Sequence, residues 1–215
     1  MTLIEGEDLE KRMAKAPDGR LSEKEVIEYA LQVCNILVYL ANRQPPVIHR
    51  DLKPANLIVS KDSGHVMLVD FGIAKATRVT GTVGGAINTA SWQVLKSSPL
   101  GTAGYAPPEQ YQGATEPRSD VYALGATMHH LLTGRSPQSA GSPFDFPPVR
   151  TFVPTLSEGI ERVVARALTM NVNTRPTAAQ LKPELEALAT PSVVQSVSAA
   201  GPFHFRSGDT ANTIP

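Results

Sequence analysis

Two tracts of polar side chains stand close together in this chain, Val47-Ile48-His49-Arg50-Asp51-Leu52-Lys53-Pro54-Ala55-Asn56 and Asp70-Phe71-Gly72. Asp51 is a carboxylate able to take the proton of a hydroxyl and aim the oxygen that remains. Lys53 carries a compact positive charge that can reach a phosphoryl group. Asn56 and Asp70 offer the hard oxygen ligands that magnesium takes when held against phosphates. A base, a cation and two metal ligands in this order are the parts that phosphoryl transfer from a magnesium–nucleotide complex requires. One Asp or Asn in a turn is ordinarily a local cap, so the ordered set carries the reading.

Such residues need rigid supports, and the flanking pattern supplies them. Over residues 22–42 apolar side chains recur at helical spacing, with Ser22 placed as N-cap and Glu25 completing a capping box. Gln44-Pro45-Pro46 predicts the end of that helix. Short β-rich runs follow at Val47-Ile48, Leu57-Ile58-Val59 and His65-Val66-Met67-Leu68-Val69, and Lys61-Asp62-Ser63-Gly64 supplies a hairpin turn. The reactive groups therefore fall at strand ends and in loops. Three further helices are predicted, at about residues 119–132, 157–169 and 177–188. Residues 76–100 are rich in Gly, Thr, Ser and Ala without a period, which predicts a long mobile loop. Residues 190–215 turn to Ser, Ala and Gly with few large apolar side chains, and predict a disordered tail.

Composition narrows the class. Twenty basic side chains balance 20 acidic ones, so no global field draws the chain to nucleic acid. Cys34 is the single cysteine, which excludes a disulfide framework, and its helical spacing with Ile27, Ala30, Leu31, Leu37 and Val38 makes it a core residue. No apolar run approaches the ~20 residues of a membrane span, and the first residues lack a signal peptide's pattern. The expected location is the cytoplasm.

The tracts together resemble the eukaryotic-like serine/threonine protein kinases of bacterial type, over residues 1–188. The resemblance implies a protein-kinase-like fold, and of that fold the C-terminal lobe only, beginning at the hinge. That lobe is mainly α-helical, with short β-hairpins carrying the catalytic and Asp-Phe-Gly loops; residues 1–189 would form it and 190–215 the tail. ATP and Mg2+ are the implied cofactors, and protein Ser or Thr hydroxyls the acceptors. By the same resemblance Asp51 is the catalytic base, Lys53 contacts the transferring phosphoryl group, and Asn56 and Asp70 hold the metal. Ile4 would offer backbone bonds to adenine, Asp8 would reach the ribose, and Ile58 would form the lower face of the adenine pocket. His49 belongs with Phe71 to an internal apolar spine, whereas His129 and His130 read as packing or surface residues. Glu109 and Arg175 should form a buried pair, and Asp120 should cap its helix and hold the catalytic-loop backbone. Arg50 and Lys75 would meet a phosphate on Thr80, Thr82, Thr89, Ser91, Ser97 or Ser98, ordering the loop, while Thr102 contacts the catalytic loop.

The family also places a glycine-rich loop, a strand lysine and a helix glutamate ahead of the hinge. These 215 residues hold none of the three. The expectation is a truncated or partial chain, with weak ATP binding and transfer that is slow or absent, in which Phe71, His49, Ile58 and Leu9 face solvent unless a missing lobe or another kinase chain covers them. The rival reading is a non-catalytic, kinase-like interaction module that binds another protein through its hinge face. A small-molecule phosphotransferase fits less well, because such enzymes show glycine where Arg50 stands and lack the closure at residues 101–109. The proline-rich stretch 134–156 predicts a helix that is short or absent.

Overall fold

The computed structural model describes residues 5–70, 101–142 and 144–190. Ile4, the Phe71-Gly72 pair, Lys75, the candidate phosphorylation sites and the tail fall outside them. Within the described residues the helix Pro117–Thr133 (here α4) is enclosed, its residues from Ser119 to Leu132 all buried. A helix buried on every side needs other elements packed around it, and its buried polar residues Asp120, His129 and His130 are hydrogen-bonded. Glu116 and Ser119 form its capping box, Pro117 occupies the first turn, and Gly134 ends it in the left-handed region at φ 71°.

Helix α1 (Leu9–Lys15) is capped by Asp8, and α2 (Glu23–Ala41) by Ser22. The predicted capping box is present: Glu25 donates its N–H to Ser22 Oγ, and its carboxylate accepts the Ser22 N–H. The buried face of α2, including Val26, Ala30, Val33, Cys34 and Leu37, packs on α4 and on the last helix. The remaining helices are α3 (Pro108–Tyr111), α5 (Val149–Phe152), α6 (Glu158–Ala167) and α7 (Ala178–Ala189). Helix α6 approaches α4 closely because Gly125 has no side chain; a Cβ there would stand 2.8 Å from that of Ala167.

Three short strands, β1 (Gly6–Asp8), β2 (Leu57–Ser60) and β3 (Val66–Leu68), form an antiparallel sheet in the order β1-β2-β3. Asp8 pairs with Ile58, and Leu57 with Leu68. Leu57 and Val59 point into the core while Ile58 and Ser60 stay half-buried, as the two-residue period of a strand requires. Gln32 on α2 accepts the Val66 N–H at 2.8 Å and so satisfies a donor on β3.

Several expectations need correction. Val47-Ile48 is not a strand, because the Val47 N–H turns back to the Leu40 carbonyl at the end of α2 (3.1 Å). The β-structure is one sheet instead of two hairpins, since residues 6–8 supply the third strand. Helix α1 was not foreseen; its seven residues are too few to show a period. Leu9 and His49 do not face solvent: both are wholly buried, and Ile58 is half-buried. One expectation stands: among the described residues between Gly134 and Leu156 there are a 3-10 turn at Pro137–Ser139 and the single turn of α5, so the helix there is short.

Candidate active site

Asp51 sits in an irregular segment between α2 and β2, 5% exposed, with both carboxylate oxygens engaged. Oδ1 accepts the Thr102 N–H at 3.0 Å and the Thr102 hydroxyl at 2.7 Å. Oδ2 accepts from Asn56 Nδ2 at 3.2 Å and pairs with Lys53 Nζ at 3.3 Å. Lys53 in turn donates to Thr102 Oγ1 at 2.7 Å. Thr102, far along the chain, thus joins Asp51 and Lys53 in one network.

The backbone of this segment is clamped from below. Asp120, in the first turn of α4, accepts the His49 N–H at 2.8 Å on one oxygen and the Arg50 N–H at 2.9 Å on the other. It holds the backbone of residues 49 and 50 as expected, but the cap of α4 falls to Glu116. Burial pushes the Asp120 carboxyl up to about 6, opposed by the two N–H groups and the charge of Arg50, so it is ionised at neutral pH.

The His49 ring connects the two tracts. Its Nε2 donates to the Val69 carbonyl at 2.9 Å, and its Nδ1 accepts the Asp51 N–H at 3.3 Å. Both bonds together need a neutral imidazole with the proton on Nε2. Burial lowers its pKa and keeps it neutral. The Val69 N–H donates to the Asn56 carbonyl at 3.0 Å, so Asp70, next in the chain, is brought beside Asn56. Asp70 is exposed and sits in the left-handed region at φ 56°.

Among the described residues no three His, Cys, Asp or Glu side chains group to hold an ion. Magnesium needs no such group, since it keeps waters and substrate phosphates and takes one or two protein oxygens. The donor set fits that habit. Asn56 gives its Nδ2 to Asp51 O (2.7 Å) and Oδ2, which leaves its Oδ1 for a cation, and Asp70 adds a carboxylate.

The nucleotide-side candidates are placed less directly. Asp8 lies beside Ile58 across the sheet, but its carboxylate accepts the Lys11 N–H at 2.8 Å and pairs with Lys11 Nζ at 2.8 Å. Partial burial works against its ionisation, yet the Lys11 bonds prevail and hold its pKa below the usual range. Any contact to a ribose must share those oxygens. Sequence reasoning missed one buried contact, Gln110 Nε2 donating to the Arg50 carbonyl at 2.7 Å. A lone Gln after Glu109 carries no signal of it.

The model of the protein kinase domain matches residues 1–184. Serine/threonine-protein kinase PknB of Mycolicibacterium smegmatis is 36% identical over 180 residues, 78% of this chain and 27% of that protein. The probable serine/threonine-protein kinase PknB of Corynebacterium glutamicum is 31% identical over 214 residues, 93% of this chain and 31% of its own length. Serine/threonine-protein kinase B of Synechocystis is 36% identical over 135 residues, 63% of this chain and 22% of that one. The chain belongs to the protein kinase family, as a relative of the eukaryotic-like bacterial serine/threonine kinases. It spans less than a third of the length of these three relatives.

Proposed function

We propose that this chain carries the catalytic half of a serine/threonine protein kinase that transfers the γ-phosphoryl group of ATP to Ser or Thr hydroxyls of proteins. The observation that carries the reading is the convergence of Lys53, Asn56 and Thr102 on the single carboxylate of Asp51. Asp51 accepts the acceptor hydroxyl's proton and orients the oxygen. Lys53, bound to both Thr102 and Asp51, presents its charge to the transferring group. Asn56 Oδ1 and the Asp70 carboxylate would hold magnesium, which when bound neutralises phosphate charge. The Ile4 backbone, Asp8 and Ile58 form the proposed nucleotide seat. Ser/Thr acceptor choice follows the family and Lys53. Thr102 would support the loop that receives the acceptor.

The 215 residues by themselves, a kinase C-terminal lobe on this reading, bind ATP weakly and turn over slowly. They contain no glycine-rich loop to cover the phosphates, so the nucleotide is poorly positioned. Action in the cytoplasm is part of the proposal; among the described residues no helix is long and apolar enough to cross a membrane. Labelled-phosphate transfer from Mg–ATP to a mixed protein acceptor, followed by phosphoamino-acid analysis, tests the reading. Asp51→Ala should lower transfer by ~100-fold or more while nucleotide affinity holds. Undiminished transfer in that variant removes the assignment.

A further inference from the structure

We propose that Gln110 is a positioning residue for the Asp51 base, acting through the peptide group between Arg50 and Asp51. The inference rests on the reading of Asp51 given above. That peptide is held at both ends: its carbonyl accepts from Gln110 Nε2 at 2.7 Å, and its N–H donates to His49 Nδ1 at 3.3 Å. The preceding peptide donates the Arg50 N–H to Asp120 Oδ1 at 2.9 Å. Arg50 lies between these restraints at φ 69°, a left-handed conformation that costs a non-glycine residue free energy and persists only where the surroundings impose it. Gln110 is 4% exposed on the short helix α3, beside the Glu109–Arg175 pair, so its amide is delivered from a rigid support.

Gly101 makes room for this tether. A Cβ there would run into Gln110 Nε2 and lie 2.9 Å from the Arg50 carbonyl, and Gly101 itself is at φ 116°. Thr102, the next residue, bonds Asp51 Oδ1. The glycine lets the backbone carrying Thr102 pass over the bond that aims Asp51, so side chain and main chain of the base are set from one corner. Asp51 is reached from α4 through Asp120 and from α3 through Gln110; only the second supports the carbonyl of its own peptide.

Gln110→Glu keeps the shape but replaces the donor with a carboxylate facing a carbonyl. Gln110→Met removes the donor at similar length, and Gln110→Asn keeps the amide but draws it back by one methylene. In the 215-residue chain, the Arg50 carbonyl 13C and Asp51 amide signals should move in all three variants. Transfer from saturating Mg–ATP should fall roughly tenfold, as losing one buried hydrogen bond to a loaded position predicts, with KM for ATP unchanged. Signals that stay put in the folded variants would overturn the tether. Signals that move with transfer per folded molecule unaltered would overturn its role in positioning. A wild-type chain that transfers nothing, while the signals still respond to substitution, would remove the proposed reaction and leave the tether in place.

Discussion

Arg175 donates to both oxygens of Glu109, 66 residues earlier in the chain, through Nη1 at 2.6 Å and Nη2 at 3.2 Å. The guanidinium is fully buried and spends its remaining donors on the carbonyls of Arg118, Thr169 and Met170. Ser119 Oγ donates to the same Glu109 oxygen at 2.9 Å, and the guanidinium lies 4.9 Å from the centre of the Tyr122 ring. The pair therefore ties α3, the start of α4 and the loop before α7 into one unit. Its desolvation is costly, and the satisfied donors are what make it tolerable.

Breaking that pair leaves one buried charge alone. Arg175→Met should cost about 3–5 kcal/mol, lowering the melting midpoint by about 10 °C for a domain of this size. Arg175→Lys should fall between, because an ammonium cannot reproduce the two-pronged bond. A calorimetric scan in which Arg175→Met melts with the parent would refute the assignment.

Thr102 bonds Asp51 and Lys53 through one hydroxyl. Thr102→Ser keeps that group and should retain most phosphoryl transfer. Thr102→Val removes it at nearly constant volume and should slow transfer roughly 5- to 30-fold, the effect of about 1–2 kcal/mol of lost orientation. Equal rates in the two variants, measured at saturating ATP, would show that the hydroxyl does not matter.

Acid sensitivity should follow the buried histidines. His130 Nδ1 accepts the Tyr105 hydroxyl at 2.6 Å, and burial, with the neighbouring His129, lowers its pKa to about 4. His49 and His129 shift the same way. Each folded value lies below the unfolded one, so the unfolded chain binds protons first. The stability they contribute is complete above about pH 6.5 and is lost as pH falls toward 4. His130 alone accounts for about 3 kcal/mol of that change. Asp120, raised to about 6, acts in the opposite direction by favouring the protonated folded state. Three groups outweigh one, and the urea midpoint should drop between pH 6.5 and 4.5. A level or rising midpoint over that range would contradict this.

Local signals were strong where the chemistry is local. Ser22 and Glu25, three residues apart, announce α2, and the predicted capping box is present. Pro117 marks the first turn of α4 more faithfully than the apolar period, which begins only at Ser119 and led to a late start for the helix. Val47 and Ile48 misled because β-branched residues favour extended backbone without guaranteeing a partner strand. The Val47 N–H turns instead to the end of α2, where it bonds the Leu40 carbonyl.

Residue type and order alone pointed to the kinase family and nominated Asp51, Lys53, Asn56 and Asp70 for its chemistry, because both are properties of the chain. It also paired Glu109 with Arg175 and placed Thr102 near the catalytic loop through resemblance. Only the tertiary structure decided how those groups face one another: that Gln110 holds the Arg50 carbonyl, that Asp8 turns to Lys11, and that Leu9 and His49 are covered. Hydrogen bonds between segments tens of residues apart depend on where α3 and α4 come to rest, and packing of whole helices sets that position. No local propensity encodes it.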